Sequence, residues 1–561
     1  MSQEARLCRE ILEEEFGPFV AKVAHQMILK GRLSLYDITR FTELTQRQVR
    51  ESLVVLIQHG MAFFTEPVAG QREPTYYKVE PDRITMRLRM APITLLTEER
   101  FGKEAAAICR LLFINGRMRL PDVCTWVSSN EEKAKNSRLS AVRRTILLIS
   151  LGIGQLELAN YRKAFTKLAA EHLIMAVMPE HSRSAIDRFL AAEEKESEKY
   201  TITTAKELQA IKRAAQAQVD AEYSMNENIG MKRKAVDAMG REGKRRNYEN
   251  GAEQEEEIEI DESVFFAINY ERYNMLFRND AIVDFATLRI NRTAGQIVKA
   301  FFDYGKDKMK SLKEEDSPSA TPLHIANIVP PEVAGQGDLV LQPDPTEPNR
   351  KPTLQETIRG YIMLLKTDQA GFVKSKDERG ASQFAVNFAK LRQSMKRRLL
   401  EGLVREKYGV ATCRILRILI EKGKLDESQV QKLAMLPPKD TREKLGLLNT
   451  KGFVEIQEVP RSADRAPGRS FHLWYVPLEK IYQELLVDAY RTIGNLQQRK
   501  REELKIRSRL LDKLNREDVK ENMDLLGEGD KAEVAQMEKV LERIEVSKKR
   551  IDEMVMVLRD L

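Results

Sequence analysis

The sequence is poor in the residues that build disulfide frameworks, metal sites and catalytic sites. Its 561 residues include only four cysteines, six histidines and two tryptophans. The cysteines are far apart and form no Cys-x-x-Cys pair, so we expect reduced intracellular thiols and neither a zinc site nor a disulfide framework. The histidines form no His-Glu-x-x-His motif or triad-like cluster, and no Walker loop is present. We therefore expect a protein without catalytic residues, bound metal or cofactor.

Long apolar segments and a strong charge of one sign are also missing. No apolar run approaches the roughly 20 residues of a membrane-spanning helix, and the N-terminus lacks the basic and apolar regions of a signal peptide. The net charge of +8 is spread over a long chain, so it favours nucleic acid as a partner only mildly. Charged residues make up 32% of the chain, which is typical of a helix-rich protein with large solvated faces. This length predicts about three to five domains.

One segment of the chain occurs twice. Residues 23–60 recur as residues 415–452, at a constant offset of 392 and without a gap. The identical positions include a turn glycine after the first predicted helix and a glycine at the end of the third, which are Gly31 and Gly60 in the first copy. In both copies a short strand, a turn and a second strand follow. Three helices closed by a two-stranded hairpin form a winged helix, a module that binds DNA or docks on protein.

A more divergent form of the same pattern fills the sequence between the two copies. The chain is therefore predicted to be mainly α-helical with small β wings, as four winged-helix domains followed by a C-terminal antiparallel coiled-coil hairpin. Residues 181–260 are predicted to be a charged, largely disordered linker, and residues 306–352 a disordered, proline-rich insertion in the third domain. The predicted domains cover residues 1–90, 91–180, 261–406 and 407–478, and the hairpin covers residues 479–561.

Cations on the third helix of the first and fourth domains form the candidate nucleic-acid surface, and a basic wing in the fourth domain adds to them. Long basic side chains on such a helix are placed to meet phosphates and base edges. Glu51 and Glu443 lie beside these cations and would repel phosphate, so a solvated or protein-binding face is the alternative. The candidates are Arg47 and Arg50 in the first domain, and Lys439, Arg442, Lys444, Arg461, Arg465 and Arg469 in the fourth.

A second basic pattern lies in the predicted linker. Lys232 and Arg233 are separated by a ten-residue spacer from Lys244, Arg245 and Arg246. Two basic clusters at this spacing in an unstructured segment fit a bipartite nuclear import signal. The alternative is that the run is only solvated linker charge.

Several motifs resemble a known family. The stretch Gly380–Phe388, with its Phe-x-Val-Asn-Phe block, is similar to a segment of the winged-helix third-largest subunit of RNA polymerase III, of the fungal type. The one departure is Ala381-Ser382, where the family has two glycines. The resemblance covers nearly the whole chain. Further similar segments are Leu433–Pro437, Leu473–Val476, Phe16-Gly17-Pro18 and Ala281-Ile282-Val283.

Membership would imply a non-catalytic core subunit of a nuclear polymerase that makes transfer RNA, 5S ribosomal RNA and other small RNAs. The resemblance further implies a heterotrimer with a second winged-helix subunit and a small acidic subunit. This trimer would sit on the clamp of the largest polymerase subunit, near upstream or melted promoter DNA. There it would act with polymerase III initiation factors in initiation and promoter opening. The architecture is also similar to the large subunit of general transcription factor E.

Two other functions stay open from the sequence. A free general transcription factor of the factor-E type normally carries one winged helix and a zinc ribbon, whereas this chain repeats the module and lacks paired Cys-x-x-Cys motifs. A winged-helix scaffold subunit of another large nuclear complex would carry a single module after tandem helical repeats. The spread of modules along the chain favours the polymerase subunit, located in the nucleus and with no membrane among its partners.

Overall fold

The computed structural model shows a chain in which helices are joined by short antiparallel strand pairs. The chain divides into two compact units, residues 1–273 with 490–552 and residues 274–489 with 553–561. No helix in the described part is both long enough and apolar enough to cross a membrane. The described residues are 2–65, 74–127, 158–199, 204–226, 229–233, 258–309, 311–330, 339, 353–376, 383–460, 470–516, 518–519 and 525–561.

The first unit begins with a helical module closed by a small sheet. Its elements are α1 (Gln3–Phe16), α2 (Pro18–Lys30), β1 (Leu33–Ser34), α3 (Leu35–Thr42), α4 (Gln46–Gln58), β2 (Ala62–Thr65) and β3 (Tyr76–Val79). On α4, Val49, Leu53 and Leu56 recur at i, i+4 and i+7 and are buried. Thr45 and Gln48 form a capping box at the start of this helix. The sheet has the order β1-β3-β2, which confirms the predicted helices closed by a hairpin.

The second module takes its sheet partner from far along the chain. Its elements are α5 (Pro81–Thr85), a 3-10 turn (Met86–Arg89), α6 (Met90–Phe101), α7 (Lys103–Asn115), α8 (120–127), α9 (Leu158–Ala170), β4 (Ile174–Ala176) and β7 (Phe266–Ile268). In the antiparallel pair of β4 and β7, Ile174 lies opposite Ile268 and Ala176 opposite Phe266. Met118 adds a bridge to Phe266. The predicted boundary at residue 180 therefore omits one strand of this module.

Between β4 and β7 the chain forms an inserted helical hairpin. Its elements are a 3-10 turn (Pro179–Ser182), α10 (Ala185–Ser197), α11 (Ala205–Asn226) and the paired strands β5 (Met231–Arg233) and β6 (Ile258–Ile260). Phe189 and Ala192 on α10 pack against Ala215 and Val219 on α11. The prediction of a largely disordered linker is therefore wrong for these elements. Small apolar residues let the two helices approach while their charged faces stay in solvent, and composition alone does not reveal that pairing.

The second unit contains a third helical module with its own strand pair. Its elements are α12 (Tyr270–Arg289), α13 (Arg292–Tyr304), α14 (Pro322–Ile328), α15 (Leu354–Thr367), β8 (Val373–Ser375), β9 (Phe384–Val386) and α16 (Phe388–Tyr408). Val373 on β8 lies opposite Val386 on β9. The core between these elements includes the fully buried rings of Phe301, Tyr361 and Phe372.

The predicted disordered insertion at 306–352 is ordered over residues 311–330. Backbone hydrogen bonds join Ala320 to Phe384 in both directions, at 2.8 and 2.9 Å. Ile325 and Val329 are buried in the core of the third module. This part of the insertion is ordered because it extends the sheet at β9 and contributes apolar side chains to an existing core. Residues 331–338 and 340–352 lie outside the described residues.

The fourth module repeats the first in three dimensions as it does in sequence. Its elements are α17 (Val410–Lys422), α18 (Glu427–Ala434), α19 (Pro438–Thr450), β10 (Glu455–Pro460) and β11 (Ser470–Tyr475). The bounds of α17, α18 and α19 equal those of α2, α3 and α4 shifted by 392. The turns match too, because Glu43 and Met435 both adopt left-handed backbone conformations, with φ of 55° and 52°. The prediction that the two copies share their helices is confirmed.

Long C-terminal helices complete the first unit. They are α20 (Leu478–Ile506), of which residues 490–506 belong to this unit, α21 (Ser508–Asn515) and α22 (Glu528–Val555). Lys500 pairs with Glu545 at 2.8 Å and Lys513 pairs with Asp530 at 2.9 Å. These two pairs require α20–α21 and α22 to run in opposite directions. On α22, the apolar residues Met537, Ile544 and Val555 are buried.

Polar contacts hold these C-terminal helices against the first module. Arg501 pairs with Glu10 at 2.9 Å, and Lys500 pairs with Glu14 at 2.7 Å. The buried Arg89, just before α6, pairs with Asp552 on α22 through Nε and Oδ2 at 2.9 Å. Within the first unit, α20 and α22 therefore pack against N-terminal elements of the chain.

Candidate nucleic-acid interface

The exposed face of α4 carries one paired and one unpaired cation. Arg47 is 88% exposed, and its Nε donates a hydrogen bond to Oε1 of Glu51 at 2.8 Å. This hydrogen bond raises the pKa of Arg47. Arg50 is exposed, and no ion pair in the described part of the chain includes it. Arg50 is therefore the better placed of the two to receive a phosphate.

The C-terminal end of α4 is fixed in the second module. Gln58 Nε2 donates to the backbone oxygens of Asn115 and Arg117, at 3.1 and 2.9 Å. Gly116 lies between them with φ of 78°, and a Cβ there would lie 2.4 Å from the backbone oxygen of Gln58. Only glycine fits this close approach of two backbones. Because α4 has 13 residues, roughly 18 Å separate this anchored end from its first turn.

Arg87 is the buried cation of the joint between the first two modules. It pairs with Glu15, and its guanidinium lies 4.8 Å from the ring centre of Phe16 and 4.1 Å from that of Phe113. Its Nη1 lies 3.3 Å from Nδ1 of His59. Burial lowers the pKa of His59 to about 4, and the charge of Arg87 adds to that shift. His59 is therefore neutral at physiological pH and accepts a hydrogen bond from Arg87.

The matching face of α19 is more fully neutralised. Arg442 donates from Nε and Nη2 to Oε1 of Glu427, at 3.0 and 2.9 Å. Lys444 is half-buried and lies 3.4 Å from Glu443. Lys439 is exposed and has no ion-pair partner among the described residues. Of the predicted site residues of the fourth module that the structure describes, Lys439 is thus the one whose charge is unpaired.

The wing and import candidates lie elsewhere. Lys232 and Arg233 are on β5, opposite Glu259 and Ile258 of β6. The expectation that this first basic cluster lies in an unstructured segment is therefore wrong, because its backbone is paired in a strand. The candidates outside the described residues are Arg461, Arg465 and Arg469 of the fourth wing, and Lys244, Arg245 and Arg246 of the second import cluster.

The repeat points to two cations that inspection of the third helices left out. Arg40 on α3 corresponds at the offset of 392 to Lys432 on α18. Both are exposed, and neither has an ion-pair partner in the described ranges. Each of these two modules therefore carries an exposed, unpaired cation on its second helix as well as on its third. A position-by-position comparison of the two copies would have found these residues, because both copies keep a cation there.

A metal site or a reactive thiol would require specific side chains and surroundings among the described residues. Within them, no cluster of three or more His, Cys, Asp or Glu side chains is arranged to hold a metal ion. The four cysteines are buried and form no disulfide. Burial raises the pKa of the Cys109, Cys124 and Cys413 thiols, so these remain protonated at neutral pH.

Three family models match successive parts of the chain. A model described as the RNA polymerase III subunit RPC82 helix-turn-helix domain matches residues 6–67. One described as RNA polymerase III subunit RPC82 matches residues 163–395, and one described as the POLR3C C-terminal winged-helix domain matches residues 400–476. Together they span more than half of the chain. The chain belongs to the family of the RNA polymerase III subunit RPC82. The helix-turn-helix model matches the first module and the C-terminal winged-helix model matches the fourth. These are the two modules that contain the repeated segment.

Curated relatives match nearly the whole chain. DNA-directed RNA polymerase III subunit RPC3 of Danio rerio is 25% identical over 525 residues, which are 92% of this chain and 87% of the relative. The Emericella nidulans protein described as subunit rpc3 is 25% identical over 621 residues, covering 99% of each chain. The Homo sapiens subunit RPC3 is 24% identical over 550 residues, covering 96% of this chain and 91% of the relative. The resemblance noted in the sequence motifs is thereby confirmed, and the chain is a subunit of RNA polymerase III.

Proposed function

We propose that this chain is a non-catalytic core subunit of nuclear RNA polymerase III. It acts within a heterotrimeric subcomplex in transcription initiation and promoter opening, for transfer RNA, 5S ribosomal RNA and other small RNAs. The observation that carries the proposal is the match of three family models and of full-length relatives named as this polymerase subunit. A surface rich in exposed cations supports a binding role beside nucleic acid.

The proposed architecture is four winged helices followed by a coiled-coil hairpin. Each of the four modules combines helices with an antiparallel strand pair, which supports the first part. The ion pairs that join α20–α21 to α22 in antiparallel order support the coiled-coil hairpin. In this architecture the modules present separate faces, some for DNA and others for protein.

DNA contact by the first and fourth modules would use phosphate rather than base edges. The unpaired cations Arg50 and Lys439 lie on the outer faces of α4 and α19, with Arg40 and Lys432 on the neighbouring helices. Arg and Lys bind phosphate without regard to sequence, so such contacts tolerate the many promoters that one polymerase opens. The paired Arg47 and Arg442 would contribute less, because Glu51 and Glu427 already neutralise them.

The proposed partners are the clamp of the polymerase's largest subunit, a second winged-helix subunit, a small acidic subunit and polymerase III initiation factors. The location is the nucleus, and upstream or melted promoter DNA lies nearby. A free general factor of the factor-E type, or a scaffold subunit of another nuclear complex, is the alternative function. The polymerase subunit is favoured because the match to relatives of that name extends over nearly the whole chain.

Affinity purification of the tagged chain with mass spectrometry tests the proposal. We expect the two largest subunits of RNA polymerase III at equal stoichiometry with the tagged chain. Depletion of the chain is then expected to reduce specific initiation on a transfer RNA gene while non-specific elongation on tailed templates persists. Recovery of a different complex, or loss of elongation together with initiation, would overturn the proposed role.

A further inference from the structure

Asp187, in the first turn of α10, places its carboxylate on the first module. Its Oδ1 accepts a hydrogen bond from Nη2 of Arg32, and its Oδ2 accepts one from Oγ1 of Thr65 at 2.9 Å. Ser184, the N-cap of α10, donates to the same Oδ2 at 2.7 Å. The Asp187 side chain is 11% exposed and that of Arg32 is 40% exposed. The hairpin inserted in the second module therefore closes on the first module through one largely buried anion.

The two donors lie beside the outer strands β1 and β2 of the small sheet in the first module. Thr65 is the last residue of β2 and pairs with Tyr76 on β3, which in turn pairs with Ser34 on β1. Arg32 directly precedes β1. The carboxylate of Asp187 therefore contacts the last residue of β2 and the residue before β1.

Asp187 is a carboxylate anion at this position. Burial alone would raise the pKa of its carboxyl, but hydrogen bonds from Ser184, Arg32 and Thr65 outweigh burial and hold the pKa below its usual range. A carboxylate oxygen and a phosphate oxygen accept hydrogen bonds from guanidinium and hydroxyl groups in the same way. The carboxylate thus stands where a phosphate oxygen would be bound by the same two donors.

The fourth module provides an internal comparison. Lys424 occupies the position of Arg32 at the offset of 392. It is exposed, its ammonium lies 5.4 Å from the ring centre of Tyr475, and no ion pair in the described part of the chain includes it. The cation at this position is therefore available in the fourth module and neutralised from within the chain in the first.

We infer that Arg32 and Thr65 form a binding site for a backbone phosphate of nucleic acid, which Asp187 occupies in this structure. The inserted helix α10 and a DNA strand then compete for Arg32 and Thr65. This inference rests on the proposed contact of the first module with DNA. It makes the hairpin of the second module a cover that lowers the affinity of the first module for DNA until α10 is displaced.

Substitution of Asp187 tests this competition in the full-length chain. Asp187→Asn keeps the size of the side chain but removes the charge that holds Arg32. Using short mixed-sequence DNA, single- and double-stranded, we expect about two- to fivefold tighter binding at low salt, the size of one exposed ion pair. The slope of log affinity against log salt should steepen by roughly one unit for one added phosphate contact. Arg32→Ala in the Asp187→Asn background should remove both gains.

Two matched variants separate this effect from general loss of charge or structure. Glu196→Gln removes a carboxylate from the same helix that pairs only locally with Lys199, and it should leave binding unchanged. The exchange Arg32→Asp with Asp187→Arg keeps an ion pair across the contact but moves the cation onto α10, so the gain seen with Asp187→Asn should be absent. Hydrogen exchange in β2 and α10 reports whether each variant is folded.

The outcomes distinguish the inference from the function on which it rests. Unchanged or weaker DNA binding by a folded Asp187→Asn chain would overturn the inference. If Arg50→Gln still flattens the salt dependence in that case, the contact of the first module with DNA stands and only the covered site is lost. If neither variant alters binding, both the covered site and the proposed DNA contact of the first module are wrong.

Discussion

At the scale of single residues, His59 is expected to make the joint between the first two modules sensitive to acid. Its pKa of about 4 in the folded chain lies below the ordinary value of 6.5. Between pH 6.5 and pH 4, His59 binds a proton in the unfolded chain but not in the folded chain. The stabilisation that depends on neutral His59 is therefore complete above pH 6.5 and decreases as the pH falls toward 4. This loss is roughly 3 kcal/mol at most. Hydrogen exchange of α4 and α6, measured between pH 7 and pH 5, should show faster opening at the lower pH.

A His59→Gln variant isolates this contribution. Glutamine does not take up the proton but still offers an acceptor to Arg87, so the difference between pH 7 and pH 5 should shrink. Burial raises the pKa of the neighbouring Glu15, whose protonation acts in the opposite direction. Glu15 is present in both chains and cancels in the comparison. Equal pH dependence in the two chains would show that His59 does not control this joint.

At the scale of elements, the unpaired cations of α4 and α19 should contribute more to DNA binding than the paired ones. Arg50→Gln and Lys439→Gln should each flatten the dependence of log affinity on log salt by roughly one unit. Arg442→Gln should change it less, because Glu427 already neutralises that guanidinium in the free protein. The measurement is affinity for mixed-sequence DNA over a series of salt concentrations. Base sequence should have no systematic effect, since phosphate contacts carry none.

The opposite result would assign these faces to protein. If removing the charges leaves DNA binding and promoter opening unchanged but releases the subunit from the polymerase, the cations pair with acidic groups on neighbouring subunits. Glu51 and Glu443, which lie on the same faces, would then find basic partners across that interface. The comparison of Arg50 with Arg442 applies there too, because only an unpaired cation is free to form a new pair.

The modules that could be predicted from local sequence patterns are those whose apolar residues pack within the same short stretch of chain. The spacing of Val49, Leu53 and Leu56 on α4 and the glycines of the repeat are local signals, so the first and fourth modules were predictable. The pairing of β4 with β7 was not, because some 90 residues separate its strands. The α10–α11 hairpin was missed because its packing uses small residues within a charged sequence. The site at Arg32 that Asp187 occupies depends on that hairpin, so it could not be predicted from the sequence.

At the scale of the whole molecule, nuclear import should depend on the second basic cluster. Lys232 and Arg233 are held in a paired strand, whereas an import receptor binds extended, accessible chain. Replacing Lys244, Arg245 and Arg246 together with Ala should shift a tagged protein toward the cytoplasm. The matched control removes three exposed cations from α11, Lys206, Lys212 and Arg213. Nuclear signal that survives the first set unchanged would mean that the protein enters with its partners.

The ion pair between Arg89 and Asp552 predicts that α22 stabilises the first two modules. Arg89 is 3% exposed and pairs with Asp552 of α22 at 2.9 Å. Asp552→Asn removes a carboxylate that pairs with a buried guanidinium, at a cost of about 3 kcal/mol. Asp530→Asn is the matched control on the same helix. Its pair with Lys513 is far more exposed and contributes about 1 kcal/mol or less.

Hydrogen exchange across α6 distinguishes these two variants, because that helix begins directly after Arg89. We expect Asp552→Asn to speed exchange there markedly and Asp530→Asn to leave it close to that of the parent chain. Equal protection of α6 from exchange in both variants would mean that the pair of Arg89 with Asp552 does not stabilise the first two modules. Selective loss in Asp552→Asn would mean that the first two modules reach their full stability only when the C-terminus has folded onto them. An N-terminal fragment that lacks α22 would then be less stable than the same modules in the full chain, and its candidate DNA-binding helices would be less well ordered.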